Sequence, residues 1–172
     1  MTLAVKITYF DTQWEIVLNF PNMWMKNMFI GSFKYSIDSK NRISIPAKLR
    51  KYLDGEGNDK FYINRGIAKC IDIYPSAQWK ELLNRLEQLN HFNSKEAMFL
   101  RMSLQKASEE TLDTQYRILL PQNLIEYAEI EKEVFILGAI KKIEIWNPEI
   151  YEKYLQDQEE SFEQVAEKVM SK

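Results

Sequence analysis

The hydrophobic and polar positions of this chain follow the same order twice. In each half a strand-like run meets a turn at an aspartate, a second short strand follows, and a proline then opens an apolar helix. Proline suits the first turn of a helix because the N–H that it lacks would have no partner there. The strands are predicted at 33–37 and 42–45 in the first half, and at 108–112 and 117–120 in the second.

Each half then closes with two β-branched or aromatic runs around a glycine, a pattern that predicts a hairpin. The runs are FYINR and CIDIY in the first half, and VFILG and KIEIW in the second. A shift of 75 residues aligns the two turns and proline-led helices, whereas a shift of 72 aligns the two hairpins. The difference falls in the loop 54–59, where changes of length are tolerated. We therefore predict two copies of one unit that pair with each other.

Leucine and methionine stripes predict two helices between the copies. Ser76 can cap the first helix and Ser94 the second, and we interpret both apolar stripes as core packing. The stripes are Trp79, Leu82, Leu83, Leu86 and Leu89 in the first helix, and Met98, Phe99 and Met102 in the second. After the second copy, Asn147 and Pro148 predict the start of one C-terminal helix.

The first 27 residues stand outside this pattern. They are apolar enough to suggest a signal peptide, but Asp11 and Glu15 interrupt them, and neither a basic start nor a small-residue cleavage site is present. An extra strand, a purification remnant and an over-long start are the alternatives, and Met28 is a reasonable start. No transmembrane span is predicted.

Composition limits the chemistry that the chain can perform. The chain has 172 residues, a net charge of −2, one cysteine (Cys70) and one histidine (His91). A lone cysteine cannot form an internal disulfide, and the pair cannot supply a structural or catalytic zinc site. We interpret Cys70 as a buried small side chain and His91 as a loop residue. No catalytic residue, metal site or cofactor is predicted, which argues against an enzyme and for a cytoplasmic setting.

Positive charge is concentrated in the first copy. Between Lys34 and Lys51 lie six bases and one acid, whereas the segment 113–132 has two bases and four acids. The six bases are Lys34, Lys40, Arg42, Lys48, Arg50 and Lys51. Such a cluster in an acidic chain is typical either of a solvated face or of a surface that contacts phosphates.

The residues 38–41 fit a four-residue turn that begins with Asp38. Its last position favours glycine or asparagine because φ is positive there, and Asn41 satisfies this preference. Tyr116 occupies the equivalent position of the second copy, where a left-handed conformation costs about 1–2 kcal/mol. Either the second turn differs, or the surrounding packing holds the strain.

Two interpretations of Arg42 and Arg117 remain open from the residues alone. Each arginine follows its turn directly, so it can pair with the aspartate of that turn, Asp38 or Asp113, and hold the hairpin together. Alternatively, the guanidinium can point outward to phosphates or base edges, for which arginine is well suited.

The motifs MFIGSFKYSIDSKNRISIPAKLRKYL, TLDTQYRILLPQNLIEYAEI and VFILGAIKKIEIWNPEIYEKY resemble the MraZ family of bacterial transcriptional regulators, with tandem SpoVT/AbrB-like repeats. The resemblance covers about residues 28–155. It implies an α+β fold, mainly a β swapped-hairpin AbrB-like barrel made from two tandem internal repeats, with helices between and after them. The chain departs from the family's glycine at Asn41 and at Tyr116.

Together, the repeat and the resemblance predict five segments along the chain. These are an N-terminal extension of unknown role at 1–27, repeat 1 at 32–79, a helical connector at 80–106, repeat 2 at 107–150, and a C-terminal helix or tail at 151–172.

The resemblance also implies a function and a site. Members bind repeated DNA elements in the promoter of the division and cell-wall gene cluster, and their turn loops carry the DNA contact. The expected role is that of a repressor that also regulates its own gene. The predicted DNA-binding residues are, from the carried-over turn loops, Lys40, Asn41, Arg42, Gln115 and Arg117, and, from the basic cluster, Lys34, Lys48 and Arg50. The residues that shape the turns are Asp38, Pro46, Asp113 and Pro121.

The expected partners are double-stranded promoter DNA and further copies of the chain, in a ring of about eight to twelve subunits. A cytoplasmic, nucleoid-associated location is implied, without a membrane, a cofactor or a small-molecule substrate. The alternative is an AbrB-like antitoxin or protein-interaction module, in which the acidic C-terminal helix would wrap a partner protein.

Overall fold

The computed structural model describes residues 6–10, 13–17, 28–50, 52, 60–158 and 160–171. An antiparallel hairpin of β1 (Lys6–Phe10) and β2 (Gln13–Val17) precedes the repeats. Of the alternatives for the N-terminal extension, the extra strand agrees with this hairpin.

The two repeats contain the same elements in the same order. Repeat 1 consists of β3 (Phe29–Ser36), β4 (Arg42–Ser44), α1 (Ala47–Arg50), β5 (Lys60–Arg65) and β6 (Cys70–Pro75). Repeat 2 consists of β7 (Ser108–Thr111), β8 (Arg117–Leu119), α4 (Gln122–Tyr127), β9 (Glu133–Ile140) and β10 (Lys142–Trp146). Between them lie α2 (Ser76–Leu86) and α3 (Ser94–Leu104), and after them α5 (Pro148–Gln156) and α6 (Phe162–Met170).

The main sheet is antiparallel and combines strands of both repeats. Its order is β3-β9-β10-β6-β5-β7, while β4 and β8 form a separate two-stranded sheet. The first strand of each repeat pairs with the hairpin of the other repeat, β3 with β9 and β7 with β5. An α+β fold with a mainly antiparallel sheet is thus confirmed. Among the described strands the sheet stays open at β3 and β7, so the closed barrel remains a prediction.

Two strand pairs lie on the approximate twofold axis that relates the repeats. Ile43 of β4 faces Ile118 of β8, and these are the residues that the shift of 75 makes equivalent. Asp72 of β6 faces Glu144 of β10, and these are equivalent under the shift of 72. Each repeat therefore completes the sheet of the other, as expected of units that cannot bury their apolar faces alone.

The core lies between one face of the main sheet and the layer formed by β4, β8, α1 and α4. Strand alternation places Ile71 and Ile73 of β6 and Ile143 and Ile145 of β10 on this face. From the other layer come the fully buried Ile43, Leu49, Ile118 and Leu124. The opposite face of the sheet carries α2, whose Trp79 stacks on Tyr62, and α5, whose Tyr151 packs against Phe135.

Gly138 was expected to form the turn of the second hairpin, but it does not. It lies inside β9 opposite Gly31, and a Cβ there would lie 2.5 Å from the backbone carbon of Phe29. The glycine is required by the close approach of β3. At the turn itself the positive φ of 60° belongs to Ile140.

The capping predictions were correct for one helix and wrong for two. Asn147 caps α5 by accepting hydrogen bonds from the N–H groups of Glu149 and Ile150. Ser76, however, donates its hydroxyl to the carbonyl of Lys60 and leaves α2 without a side-chain cap. The cap of α3 is Asn93, one residue before Ser94, because its longer side chain accepts from the N–H groups at the start of the helix.

The core-packing interpretation was wrong for the second stripe. Trp79 and Leu86 of α2 are buried, but α2 ends before Leu89. In α3 the buried residue is Ala97, while Met98, Phe99 and Met102 are exposed. Helical periodicity shows that these side chains share one face, but only the fold shows that the opposite face meets the sheet.

The C-terminal segment forms two helices and not one. Helix α5 ends at Gln156, and α6 starts anew after Ser161, which forms a capping box with Gln164. No helix of the described residues is long and apolar enough to cross a lipid bilayer.

Candidate nucleic-acid interface at the paired turns

The two turns have the same hydrogen-bond pattern, residue for residue. In the first, the carboxylate of Asp38 accepts from the N–H groups of Lys40 and Arg42, and Asn41 N–H donates to the carbonyl of Asp38. In the second, Asp113 accepts from the N–H groups of Gln115 and Arg117, and Tyr116 N–H donates to its carbonyl. The loss of glycine at both positions has therefore left the turn geometry intact.

Tyr116 adopts the strained conformation, and its surroundings hold it there. Its φ is 58°, close to the 60° of Asn41, so the second of the two expected explanations is correct. The guanidinium of Arg50, from helix α1 of the other repeat, stacks over the tyrosine ring at 4.4 Å from the ring centre. A cation–π contact of this kind is worth about 0.5–1 kcal/mol at an exposed site and offsets part of the strain.

Both arginines bond to the aspartate of their own turn. Arg42 donates from Nε to Oδ2 of Asp38 at 2.8 Å, with a second contact from a terminal nitrogen at 2.7 Å. Arg117 repeats both distances with Asp113. Of the two open interpretations, pairing across the turn is the one that the geometry of the chain shows.

The two ion pairs also meet each other. A terminal nitrogen of Arg42 lies 3.8 Å from Asp113, and one of Arg117 lies 3.7 Å from Asp38. The result is a four-member cluster of two arginines and two aspartates across the repeat boundary. Nε and one terminal nitrogen of each guanidinium bond to the aspartate of its own turn, whereas the other terminal nitrogen lies beyond hydrogen-bond distance of the aspartate of the other turn. The N–H groups of this second terminal nitrogen are the donors left for another acceptor.

These contacts lower the pKa of both aspartates. The hydrogen bond from the Arg42 guanidinium, with those from backbone N–H groups, lowers the pKa of Asp38 to about 2. The equivalent bonds from Arg117 lower the pKa of Asp113. The cluster is therefore fully ionised near neutral pH and carries no net charge.

Backbone bonds between β4 and β8 fix the turns side by side. Ile45 N–H donates to the carbonyl of Tyr116, and Leu120 N–H donates to that of Asn41. The side chain of Asn41 also donates to Gln122 of α4 at 2.8 Å. No sequence pattern indicates Gln122 as a site residue, because this contact joins residues 81 positions apart.

Several predicted cations are exposed around the first turn. Lys40 lies at the turn itself and Lys48 on α1, and within the described residues neither has a carboxylate in ion-pair range. Arg50 is half-buried under its contact with Tyr116. Gln115 is exposed at the tip of the second turn.

The remaining predicted residues occupy other places. Lys34 is exposed on β3, where strand alternation directs it away from the core face that Phe33 contacts. Lys51 lies outside the described residues. Pro46 precedes α1 and Pro121 precedes α4, and each carbonyl accepts from the N–H groups three and four residues later.

A second polar cluster was not predicted. On the outer face of the sheet, the Lys142 ammonium lies 2.8 Å from Asp72 and 2.8 Å from Glu144. Tyr74 donates its hydroxyl to Asp72 at 2.9 Å. The shift of 72, which places Asp72 on Glu144 and Cys70 on Lys142, was the signal that could have indicated it.

The donors near this cluster are poorly suited to a metal ion. One atom each of Cys70, Asp72 and Glu144 could converge on a cation. Burial raises the pKa of Cys70, so the thiol stays protonated, and the ammonium of Lys142 already bonds to both carboxylates. The chain itself supplies the positive charge here.

A strand–turn–strand–helix unit, duplicated so that its turns meet, defines a class of tandem-repeat α+β proteins. The family model described as "MraZ protein, putative antitoxin-like" matches the chain twice, over residues 28–102 and 104–171. The chain belongs to this MraZ family.

Curated relatives support this assignment. A protein of Natranaerobius thermophilus is 43% identical over 143 residues, which cover 83% of this chain and 97% of the relative. One of Desulforamulus reducens is 38% identical over 143 residues, covering 83% and 98%. One of Halothermothrix orenii is 41% identical over 139 residues, covering 81% and 94%. Each of the three is named transcriptional regulator MraZ.

Proposed function

We propose that this protein is a sequence-specific DNA-binding transcriptional regulator and not an enzyme. The observation that carries the proposal is the pair of turns with the same hydrogen-bond pattern, held side by side and flanked on one side by exposed cations. Two equivalent loops at a fixed spacing are suited to a repeated target such as a DNA duplex. The names of the relatives agree with this function.

The residues divide into two roles under this proposal. Lys40, Lys48 and Arg50 contact phosphates, with Lys34 at the margin, and these contacts supply salt-dependent affinity. The guanidinium groups of Arg42 and Arg117 are held in place by their aspartates, and their remaining N–H groups reach base edges. Asn41 and Gln115 at the tips are further candidates for base contacts.

The proposed target, mode of regulation and assembly are those that the resemblance to the family implies. The target is the promoter of the division and cell-wall gene cluster, bound at repeated elements by a repressor that also controls its own gene. The fold is a swapped-hairpin AbrB-like barrel divided as 1–27, 32–79, 80–106, 107–150 and 151–172, in a ring-like homo-oligomer in the cytoplasm at the nucleoid. Linking several weak footprints in a ring raises avidity by about 10²–10⁴.

The direct test is the binding of fluorescently labelled duplex DNA from upstream of the chain's own gene, measured by anisotropy over a series of salt concentrations. A scrambled duplex of the same composition is the specificity control. We expect Lys40→Ala and Lys48→Ala each to weaken binding and to reduce the salt slope by about 1, as for one lost phosphate contact. Lys80→Ala removes the same charge from the exposed face of α2 and should change neither quantity.

The arginines need a folding control because they also hold the turns. Arg42→Ala is expected nearly to abolish binding and Arg117→Ala to reduce it less, with circular dichroism and the unfolding midpoint recorded for both. Arg42→Lys retains the charge but loses the bidentate geometry, so it separates base recognition from net charge. Equal affinity of the wild-type protein for promoter and scrambled DNA would overturn the proposal.

A second candidate is an antitoxin or protein-interaction module. The description of the family model as antitoxin-like and the exposed apolar face of α6 favour it. A small partner protein that co-purifies in a fixed ratio, together with no binding to any DNA, would support this candidate over the first.

A further inference from the structure

Two apolar surfaces in the described part of the chain lie far apart in sequence. One is the cleft between α2 and α3, lined by Leu82 and Leu86 from α2 and by Phe99 and Met102 from α3. The other is the apolar face of α6, where Phe162, Val165 and Val169 recur at helical spacing. Phe162 is 84% exposed, a high value for a large aromatic side chain.

Helix α6 is separate from the rest of the fold in its polar contacts. Within the described residues, its side chains form neither a hydrogen bond nor an ion pair with the sheet or with α1–α5; the ion pair of Lys168 is with Glu160, just before the helix. Its capping box nevertheless defines it as a preformed helix. An amphipathic helix with an uncovered apolar face is the form that a helix-in-groove interaction requires.

The cleft has a suitable size for one large side chain of such a helix. Its volume is about 230 Å³, and Tyr74, Asp72 and Lys142 of the sheet also line it. An apolar cavity of about 150 Å³ already accepts benzene. A phenyl ring such as that of Phe162 therefore fits between the apolar walls.

Charge at the margins is complementary. Glu163 directly follows Phe162 on α6, in a segment 149–172 that has seven acids and three bases. Lys95 is exposed on α3 one turn before Phe99, and it has no carboxylate in ion-pair range within the described part of the chain. Because the C-terminal segment is acidic and α3 presents an exposed cation, α6 suits the cleft better than the α3 of another copy would.

We propose that α6 of one copy docks into the α2–α3 cleft of another copy, with Phe162 inserted between Phe99 and Leu86. Since the two surfaces differ, the contact is heterologous, and such contacts close into rings when the rotation allows it. The proposal rests on the ring assembly of the proposed function and names the surfaces that build it. It does not depend on DNA recognition.

Light scattering with size-exclusion chromatography tests the interface in the full chain. Phe162→Ala and Met102→Ala are each expected to shift the wild-type oligomer towards the monomer, by at least tenfold in the concentration of half-dissociation. Glu167→Ala on the opposite side of α6 and Ile30→Ala on β3 are the matched controls and should retain the oligomer. Unchanged mass for Phe162→Ala and Met102→Ala would overturn the inference.

Cross-linking identifies the occupant. The lone native Cys70 is buried, so introduced cysteines react selectively. Val165→Cys protein mixed with Met98→Cys protein should form a disulfide-linked pair under mild oxidation, which only two copies can produce. If the double variant instead cross-links solely within one chain, α6 folds back onto its own cleft, and the proposal is wrong.

Failure of this inference and failure of DNA recognition are distinguishable. If the wild-type protein binds promoter DNA but the Phe162→Ala variant keeps the mass of the oligomer, only the proposed interface is wrong. If the Phe162→Ala variant dissociates but the wild-type protein does not bind promoter DNA, only the proposed function is wrong.

Discussion

Asp72 lies directly opposite Glu144 in the centre of the main sheet, at the point where the approximate twofold axis crosses it. Like charges in this arrangement destabilise a strand pair. The ammonium of Lys142, at the position equivalent to Cys70, bonds to both carboxylates. An exact duplication would place either no lysine or two lysines at these equivalent positions, so the single cation between the carboxylates reflects a difference between the repeats.

Replacing Lys142 by methionine should therefore destabilise the fold. Asp72 is 3% exposed, and burial already raises its pKa. Removal of one partner of such a buried pair costs about 3–5 kcal/mol because the other charge is left without compensation. Urea unfolding at neutral pH measures the cost.

The neighbouring Lys141 offers a matched control for this variant. Its ammonium pairs with Glu81 at the surface, so Lys141→Ala should cost less than about 1 kcal/mol. Equal losses for the two lysine variants would show that the central cluster has no special role.

The turn clusters predict a dependence of stability on pH in the acid range. The pKa of Asp38 falls from its ordinary value of 3.8 to about 2 in the folded chain. Its contribution to stability is thus fully present above about pH 4 and is lost as the pH falls towards 2. We expect Asp38→Asn to flatten the stability profile between these limits, which thermal unfolding at stepped pH measures. Asp157→Asn is the control, since this exposed carboxylate has no ion-pair partner in the described residues.

The stacking of Arg50 on Tyr116 predicts a small, specific loss. Arg50→Ala removes the contact that holds the ring of a residue with positive φ and should cost about 0.5–1 kcal/mol. Lys48→Ala, on the same helix but exposed, should stay within about 0.5 kcal/mol of the wild type. Chemical denaturation measures the stability of both variants, and a larger loss for Lys48→Ala than for Arg50→Ala would contradict the prediction.

Gly138→Ala should disturb the edge of the main sheet. The added Cβ would lie 2.5 Å from the backbone carbon of Phe29 and 2.6 Å from the nitrogen of Ile30, and a backbone cannot turn aside as a side chain can. Overpacking costs about 1–3 kcal/mol, and we expect the upper part of this range. Hydrogen exchange should show the loss localised in β3 and β9; equal exchange in the two proteins would refute the prediction.

Much of the local structure was predictable from the residues. The duplicated pattern indicated both turns, the proline-led helices and the two hairpins, because turn chemistry and strand alternation act over a few residues. The positive φ of Asn41 was expected on the same basis. Predictions that depended on one glycine or one serine were less secure, as Gly138 and Ser76 show, since each has a second use that local sequence does not reveal.

What the sequence by itself determined is the repeat, the elements within each copy and the positions of their turns, all of which follow from short-range conformational preferences. The tertiary structure alone decided that β3 pairs with β9, that Arg42 bonds to Asp38 beside Asp113, and that Met102 faces outward. These outcomes depend on which surfaces meet when the two copies pack together. The free energy of packing depends on contacts between residues that are distant along the chain, so these outcomes cannot be predicted from a local sequence pattern.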